Sequence, residues 1–365
     1  MDVTLLVDAL GPQLSGIGRY VWELCTRVPL QPGIDQVGYF AHGRYLERLD
    51  SLLDGNLPRP RRRVPRWIAQ RLTRRRLRSS LVHGPNYFLP AGAETGIVTV
   101  HDLSVFRYPD THPPDRLVEF ERRFATTLEK ADHVITDSET VRRELIADFG
   151  VSATSVTAVH LGVAREFQPR TAAAIEPQLA TIGLSPGAYA LCVSTLEPRK
   201  KIAELIRAWR ELPENLRTKM PLVLAGAEGW LNDSLHDEIR EGIAAGWLKH
   251  VGYVPEGLLL ALYAGAALFL YPSTYEGFGL PPLEAMASGV PVLVANRSCL
   301  PEICGDAAGY VDPDDVAAFT EAIVRALTDT RWRAETRRKG LERAASFSWD
   351  HCAAKTVNIY GSILR

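Results

Sequence analysis

Cysteine is scarce in this chain, and its spacing fits neither a zinc site nor a disulfide framework. Five cysteines are spread over 365 residues, an odd number without a Cys-x-x-Cys pair. The start of the chain, MDVTLLVD at 1–8, also lacks the basic segment that precedes the apolar run of a secretory signal. We therefore expect no signal peptide, and a reducing cytoplasm is the simplest location.

Long hydrophobic runs are also scarce. One uncharged stretch approaches the length of a membrane span. Residues 257–275 carry no charge, and their number is close to the roughly 20 that cross a bilayer. Gly265 and Pro272 interrupt this stretch and divide it into a short helix at 258–263 and a buried strand. The pattern predicts a folded core and not a transmembrane helix.

Length and periodicity together predict two α/β domains. At 365 residues, the chain exceeds the roughly 250–300 residues at which a single core stops growing. Short apolar runs alternate with longer helical patterns, which is typical of parallel sheets covered on both faces. The predicted strands lie at 3–7, 37–40, 81–83, 96–101, 133–136, 156–160, 189–193, 222–225, 248–253, 267–271, 291–294 and 309–311. Ligands of such sheets bind beyond the carboxyl ends of the strands.

The most specific motif is TYEGFGLPPLEAMA at 274–287, directly after a predicted strand. A glycine-bearing turn leads there into a helix whose first positions are prolines, where the missing N–H has no helical partner. Four backbone amides of the turn are predicted to face one anion, with the helix dipole behind them. These are the amides of Gly277, Phe278, Gly279 and Leu280.

Two carboxylates accompany this anion site, those of Glu276 in the turn and Glu284 one helical turn further on. Carboxylates repel phosphate groups but readily accept hydrogen bonds from hydroxyl groups. A ligand that carries both phosphate and sugar hydroxyls, a nucleotide sugar, fits the arrangement. A solvated pair of acids at a helix start is the plainer alternative.

The glutamate pair, with seven residues between its members, resembles the signature of the retaining family-4 glycosyltransferases. The resemblance continues through the segments PV at 291–292, LPE at 300–302 and GDA at 305–307. It implies a GT-B fold, in which two Rossmann-like domains face each other across a cleft. The implied domains are an acceptor-binding domain at 1–168, a nucleotide-sugar-binding domain at 169–346 and a C-terminal helix at 347–365 that packs back on the first domain.

The resemblance also implies roles for the two glutamates, with Glu276 binding the transferred hexose and Glu284 the ribose hydroxyls. Arg199 and Lys200 follow a predicted strand, and in the resembled family the cations of this segment neutralise the donor diphosphate. Arginine grips phosphate bidentately, whereas lysine acts as a point charge. Thr195 stands where many members carry another arginine, so these two side chains must supply the positive charge.

The segment after the strand at 248–253 is implied to edge the nucleobase through Tyr253 and Val254. No metal is required on this scheme. The segment Asp312-Pro313-Asp314 looks like the D-x-D metal motif of another glycosyltransferase fold, but it follows the last strand and is predicted to form a turn.

The first domain is expected to contribute a glycine loop, a histidine and an acceptor pocket. Gly16 and Gly18 form an incomplete dinucleotide fingerprint, which in the resembled fold approaches the diphosphate. His101 matches a histidine near the transferred sugar, although a structural histidine braced by Asp102 also fits the sequence. The catalytic set is therefore His101, Glu276, Arg199 and Lys200. The acceptor residues, with weaker support, are Asn86, Tyr87, Asp102 and Ser138.

The segment 59–78 holds ten arginines and no acid. Apolar side chains at helical spacing lie among them, which predicts an amphipathic helix on an anionic membrane surface. The predicted membrane contacts are Arg66, Trp67, Arg71, Arg74 and Arg75. No module that reads nucleic acid accompanies the segment, and a solvated helix face is the alternative. The location that follows is cytoplasmic, peripheral to the inner face of the cell membrane.

The predicted activity is transfer of a hexose from a nucleotide sugar to a lipid-linked or oligosaccharide acceptor in surface glycan synthesis. The segments EPRK at 197–200 and VHDLS at 100–104 are similar to mannosyltransferases of bacterial surface polysaccharide and lipopolysaccharide assembly. GDP-mannose is thus the first donor to consider, with UDP-sugars second. The competing hypotheses are a nucleotide-sugar epimerase on the same fold, a non-catalytic nucleotide-sugar-binding protein and, least supported, a dinucleotide dehydrogenase.

Overall fold

The computed structural model describes residues 1–14, 16–55, 65–111, 114–227, 229 and 233–364, with only the backbone at 66, 114–116 and 233. The chain forms two compact units. The N-terminal unit contains Met1–Leu103, Pro114–Gly162 and Ser348–Arg365. The C-terminal unit contains Ser104–Pro113 and Val163–Phe347.

The described part of the N-terminal unit is built on a seven-stranded sheet. Its strands are β1 (Asp2–Leu6), β2 (Gln36–Ala41), β3 (Arg44–Leu46), β4 (Leu81–Gly84), β5 (Gly96–Val100), β6 (His133–Thr136) and β7 (Val156–Ala158). They lie in the order β3-β2-β1-β4-β5-β6-β7. Neighbouring strands are parallel, except that β3 pairs with β2 in the antiparallel direction.

The described part of the C-terminal unit is built on a six-stranded parallel sheet. Its strands are β8 (Ala190–Val193), β9 (Leu222–Ala225), β10 (Leu248–Gly252), β11 (Leu268–Tyr271), β12 (Val292–Ala295) and β13 (Gly309–Val311). They lie in the order β10-β9-β8-β11-β12-β13. The order reverses between β8 and β11, the place where sheets of this type bind ligands.

Helices connect and cover these strands. They are α1 (Gly16–Arg27), α2 (Asp50–Leu53), α3 (Arg66–Arg78), α4 (Ser104–Arg107), α5 (Pro114–Lys130), α6 (Glu139–Phe149), α7 (Ala172–Ala180), α8 (Ile202–Arg210), α9 (Glu214–Lys219), α10 (Asp233–Ala244), α11 (Glu256–Gly265), α12 (Leu280–Ala287), α13 (Leu300–Cys304), α14 (Val316–Thr328), α15 (Thr330–Ala345) and α16 (Trp349–Ile363).

The C-terminal sheet is buried on both faces, as its continuous apolar strands predict. Every residue of β9, β11 and β12 is buried. Trp209 of α8 is fully buried in a core that also contains Ile239 of α10 and Phe319 of α14. Burying side chains of this size contributes roughly 1.5–3 kcal/mol each, which fixes the helices on the sheet. Two separate α/β units, one with a mostly parallel sheet and one with a fully parallel sheet, confirm the predicted α/β fold class.

The observed boundary between the units differs from the predicted one at 168. The C-terminal unit begins at Val163, because Val163 donates its N–H to the Phe347 carbonyl and Phe167 packs edge-on against Tyr263 at 5.4 Å between ring centroids. The segment 104–113 also belongs to the C-terminal unit, where Tyr108 contacts Tyr275.

Helix α16 belongs to the N-terminal unit, although it ends the chain. The hydroxyl of Tyr360 lies 2.7 Å from Nδ1 of His83 on β4, and Asp350 accepts a hydrogen bond from Arg27 of α1 at 2.9 Å. Burial lowers the pKa of His83 to about 3, so the imidazole in this contact is neutral. A polar contact inside the unit therefore holds α16 in place.

The uncharged stretch 257–275 divides into α11 and β11 with a connection between them. Among the described residues, no helix has the length and apolar character needed to cross a membrane.

Candidate active site

The motif TYEGFGLPPLEAMA forms a turn and the helix α12 at the carboxyl end of β11. Gly279, at the N-cap of α12, has a φ of 102°, which side-chain-bearing residues rarely adopt. Pro281 lies in the first turn, where its missing N–H breaks no helical bond. The first N–H groups of a helix have no acceptor within it and mark the positive end of the helix dipole. The start of α12 is therefore suited to bind an anion.

Glu276 lies in this turn and is buried in a cluster of charged and hydroxyl groups. Lys200 Nζ donates to Glu276 Oε1 at 2.5 Å, and the Tyr271 hydroxyl donates to the same oxygen at 2.9 Å. Arg199 Nη1 lies 3.5 Å from Glu276 Oε2. Lys200 and Glu276 are only 7% and 9% exposed. The structure thus brings together three of the predicted catalytic residues.

A second buried carboxylate, that of Glu197, also binds Arg199. Arg199 Nη2 donates to Glu197 Oε2 at 3.2 Å, and Thr195 Oγ1 donates to Glu197 Oε1 at 2.7 Å. Arg199 Nη1 donates to the Tyr275 carbonyl at 2.7 Å. The two acids balance the charges of Arg199 and Lys200. We call Glu197, Arg199, Lys200 and Glu276 the charged cluster.

The ionisation of Glu276 follows from these contacts. Burial alone would raise the pKa of Glu276, but Lys200 and Arg199 lower it to about 2. The carboxylate is therefore ionised at physiological pH. A carboxylate with so low a pKa, neutralised by two cations, is a weak base and a weak nucleophile. This favours a binding role for Glu276 over a covalent one.

The backbone of Glu276 is held by Ser298, which the sequence analysis did not single out. Ser298 Oγ accepts from the Glu276 N–H at 3.1 Å and donates to the Glu276 carbonyl at 2.6 Å. Ser298 has a φ of 57°, and Lys201, next to the two cations, has a φ of 55°. Left-handed residues other than glycine cost roughly 1–3 kcal/mol and are concentrated at functional sites.

Glu284 lies one helical turn inside α12 and is half-buried. Burial and the Glu284 carboxylate together raise the pKa of Tyr263 well above its usual range. Tyr253 follows the carboxyl end of β10 and is 51% exposed, whereas Val254 is buried. The donor-binding residues predicted in the C-terminal unit therefore lie at the same edge of its sheet, and their individual roles stay predictions.

His101 is buried at the end of β5 in the N-terminal unit, and both of its ring nitrogens are engaged. Nδ1 lies 2.7 Å from Asp137 Oδ2, and Nε2 lies 2.8 Å from the Pro85 carbonyl oxygen. Because a carbonyl and an ionised carboxylate only accept hydrogen bonds, both nitrogens carry protons when Asp137 is ionised. Burial would lower the pKa of His101, but the Asp137 carboxylate raises it above its ordinary value. The bracing partner is thus Asp137 and not Asp102.

Asn86, one of the predicted acceptor residues, lines a cavity of about 350 Å³ in the N-terminal unit. Asp8, His42 and Arg123 line the same cavity, so it offers donors and acceptors of both charges. The cavity lies beyond the carboxyl ends of β1, β2 and β4, where sheets of this kind bind ligands. Asp8 and His42 are further polar residues that the sequence analysis missed.

The other predicted acceptor residues have structural contacts. Tyr87 is buried with a φ of 62°, and its hydroxyl accepts from the Asp102 N–H at 3.0 Å. Ser138 is fully buried, and its hydroxyl accepts from the Val141 N–H at 3.3 Å as the N-cap of α6. In the structure Ser138 therefore stabilises a helix end, and its predicted role in the acceptor pocket is not supported by its exposure.

The glycine loop lies at the start of α1, after the carboxyl end of β1. Gly16 is the first residue of α1 and is exposed, whereas Gly18 is buried. The predicted approach of this loop to a diphosphate stays a prediction.

Helix α3 contains the described part of the basic segment, and residues 59–64 and the side chain of Arg66 lie outside the described residues. Leu77 anchors α3 in a cluster with Phe40 and Val82. Trp67 is 65% exposed. The predicted contacts Arg71, Arg74 and Arg75 are exposed as well, and so are Arg76 and Arg78. The helix therefore presents a tryptophan and several cations to solvent.

Comparison with known proteins identifies the family. Residues 14–167 match the family model described as Glycosyltransferase Family 4, and residues 183–345 match Glycosyl transferases group 1. The O-antigen chain mannosyltransferase B of Escherichia coli is 36% identical, over 99% of this chain and 99% of that protein. The chain belongs to glycosyltransferase family 4. This confirms the resemblance drawn from the glutamate motif.

A further mannosyltransferase and a solved structure are also similar to this chain. The serotype-specific mannosyltransferase WbdA of Escherichia coli is 32% identical over 69% of this chain, which corresponds to 30% of WbdA. The crystal structure of Anabaena Alr3699/HepE in complex with UDP and glucose matches with a TM-score of 0.75 and 18% identity, over 99% of this chain and 100% of that one. The structural likeness confirms the predicted GT-B fold.

The depressed pKa of Glu276 predicts a pH-dependent contribution to stability. The ionised form stabilises the fold fully above its ordinary pKa of 4.5, and this contribution is lost as the pH falls from 4.5 to about 2. The difference in unfolding free energy between the native protein and Glu276→Gln, measured by urea denaturation, should therefore rise from pH 2 to 4.5 and stay constant above.

Glu176→Gln is the matched control, because Glu176 is exposed on α7. The difference in unfolding free energy between Glu176→Gln and the native protein should change little over the same pH range. If the difference for Glu276→Gln also did not change with pH, the assigned ion pairs would be contradicted.

Proposed function

We propose that this glycosyltransferase transfers mannose from GDP-mannose to a lipid-linked or oligosaccharide acceptor, with retention of configuration and without a metal. The charged cluster beside the amino end of α12 is the observation that carries the proposal. The likeness to O-antigen chain mannosyltransferase B over 99% of the chain supports mannose and surface glycan synthesis.

The donor diphosphate is assigned to the start of α12, with Arg199 and Lys200 beside it. Helix N–H groups and arginine together form a strong site for phosphate oxygens. Glu276 is then adjacent to the diphosphate and binds the hexose hydroxyls, while Glu284 binds the ribose. Tyr253 and Val254 are assigned to contact the nucleobase.

The reaction is a front-face substitution. The acceptor hydroxyl oxygen forms a bond to the anomeric carbon as the bond from that carbon to the diphosphate oxygen breaks. The leaving diphosphate takes the acceptor proton, and Arg199, Lys200 and the N–H groups of α12 stabilise its charge. A covalent glycosyl intermediate needs a nucleophilic carboxylate, and the low pKa of Glu276 argues against that role.

The metal-independent scheme assigns charge stabilisation to side chains. The acids of the D-x-D segment are occupied by ion pairs: Asp312 lies 2.6 Å from Arg297, and Asp314 lies 2.8 Å from both Arg297 and Lys201. These contacts support a structural turn at this position. Arg199 and Lys200 take the place that a divalent cation has in metal-dependent enzymes.

The acceptor is assigned to the N-terminal unit. The cavity lined by Asn86 offers hydrogen-bonding groups suited to a glycan. His101, held as an imidazolium by Asp137 and Pro85, is proposed to add positive charge near the transferred sugar. An epimerase would need no acceptor, so transfer that depends on an added glycan distinguishes the two activities.

Replacing Glu276 by Gln should lower turnover at least roughly tenfold, because one of the two acceptor oxygens becomes an NH2 donor and the negative charge that faces Arg199 and Lys200 is lost. The measurement is glycosyl transfer to a lipid-linked acceptor, with GDP-mannose and UDP-glucose compared as donors. GDP-mannose should be the better donor.

Glu176→Gln should retain native turnover in the same assay, and both variants are assayed below their unfolding transitions. Normal turnover in Glu276→Gln would overturn the assigned role of this residue. Faster turnover of UDP-glucose would instead overturn the donor assignment.

Helix α3 is proposed to hold the enzyme at the inner face of the cell membrane. Its exposed arginines and Trp67 combine charge attraction to anionic lipid with an aromatic side chain suited to the interface. Each basic residue near an anionic surface contributes about 1 kcal/mol. A lipid-linked acceptor is brought within reach by such an attachment.

The triple variant Arg71→Gln, Arg74→Gln, Arg75→Gln should bind anionic vesicles about 100-fold more weakly than the native enzyme, since three contributions of about 1 kcal/mol are lost. Vesicle co-sedimentation with and without phosphatidylglycerol measures this.

The control variant Arg240→Gln, Arg331→Gln, Arg338→Gln removes the same charge from exposed positions in the C-terminal unit. It should bind vesicles nearly as the native enzyme does. Equal weakening in both triple variants would show that net charge, and not α3, determines binding.

A further inference from the structure

A cavity of about 610 Å³ lies in the C-terminal unit at the opposite edge of the sheet from the donor turn. Its lining includes Gly187, Ala267 and Pro291, which precede β8, β11 and β12, so it lies at the amino ends of these strands. Glu276 follows the carboxyl end of β11, and the four residues of this strand separate the two ends by about 13 Å. The volume falls within the roughly 300–1,000 Å³ of small-molecule sites.

Three arginines line this cavity, namely Arg170, Arg333 and Arg337. None of the described lining residues is acidic, and none of the three guanidinium groups forms an ion pair with a described residue. Arg333 and Arg337 are four residues apart on α15, so they lie on one face of that helix. Three cations gathered without a carboxylate produce a positive potential that favours an anionic ligand.

Two buried polar atoms at this cavity lack a hydrogen-bond partner among the described residues. Ser288 is only 3% exposed, and its Oγ is unpartnered, as is Nε of Arg333. Arg333 Nη2 makes only a long contact of 3.4 Å with the Ala267 carbonyl. Buried polar groups in folded proteins are nearly always hydrogen-bonded. The Ser288 hydroxyl and the Arg333 N–H are therefore left to donate hydrogen bonds to a ligand.

The rest of the lining provides room and apolar surface for a ligand larger than a single ion. Gly289 has a φ of 75°, and a Cβ atom there would lie 3.3 Å from Arg337 Nε, so its lack of a side chain leaves room for the guanidinium. Ile175 and Pro186 supply apolar surface on the lining. An anionic group attached to a small organic body matches this mixture of surfaces.

We propose that this cavity binds a small molecule carrying a phosphate or diphosphate group, through Arg333, Arg337 and Ser288. The guanidinium fork matches two phosphate oxygens, and the Ser288 hydroxyl donates to a third. The site is separate from the donor turn, so a ligand in one does not prevent a ligand from binding in the other. The inference does not depend on which sugar nucleotide the enzyme uses.

The test is isothermal titration of the full-length protein with inorganic pyrophosphate in the presence of saturating GDP, which keeps the donor turn occupied. The native protein should show one binding event for pyrophosphate. The variant Arg333→Gln, Arg337→Gln should weaken this event at least about tenfold, because two charge-assisted contacts are lost. Arg338→Gln is the matched control, since Arg338 lies on the same helix but pairs with Glu342 and Glu335 and is absent from the lining.

Short-chain phosphatidic acid below its micelle concentration is the second probe, and it separates a lipid head group from a soluble phosphate as the source of the ligand. The site is supported if the double variant loses binding of either probe while Arg338→Gln retains it. Should the double variant fail to fold, the exposed Arg337→Gln alone and the conservative Ser288→Ala provide the same comparison. Absence of binding by both probes to the native protein, or unchanged affinity in the variants, would overturn the proposal.

Discussion

The contact between Lys200 and Glu276 is the interaction on which the rest of this active site depends. Both side chains are buried, and each is costly to bury without the other. Removing one partner of such a pair typically costs about 3–5 kcal/mol, because the remaining charge is left without compensation. The contact joins the loop after β8 to the turn after β11, on the two strands where the sheet order reverses.

The same contact explains how two carboxylates can stand beside the proposed phosphate site. Glu276 and Glu197 would repel a diphosphate, but Arg199 and Lys200 neutralise both carboxylates in the structure. The cations are thereby held in place and do not have to be ordered during the reaction, which is the requirement for electrostatic catalysis. Ser298 and Lys201 adopt left-handed conformations around this cluster, so local backbone strain accompanies the arrangement.

The sequence allowed most of the fold and the centre of the site to be predicted, because their signals are local. Apolar runs placed the strands at 133–136, 222–225 and 309–311 with the bounds that the structure has. Glycine and proline in the motif at 274–287 marked the turn and the first positions of α12. Strand β3 was not predicted, because a three-residue strand at a sheet edge is too short to show a periodic pattern.

The partners within the site were harder to predict, because they are distant in sequence. Lys200 and Glu276 are 76 residues apart, and His101 and Asp137 are 36 apart. Asp102 is the nearest acid along the chain, but the parallel pairing of β5 with β6 brings Asp137 next to His101. Ser298 was missed for the same reason, since only the adjacency of β11 and β12 places its hydroxyl at the Glu276 backbone.

The most direct test of the central claim is the affinity of the enzyme for GDP and for GMP, measured by titration calorimetry on the native protein and on Arg199→Gln. If the cations bind the diphosphate, native GDP affinity should exceed GMP affinity at least about tenfold, and the variant should lose most of this difference. Equal affinities in the native enzyme, or an equal loss for both nucleotides in the variant, would contradict the account.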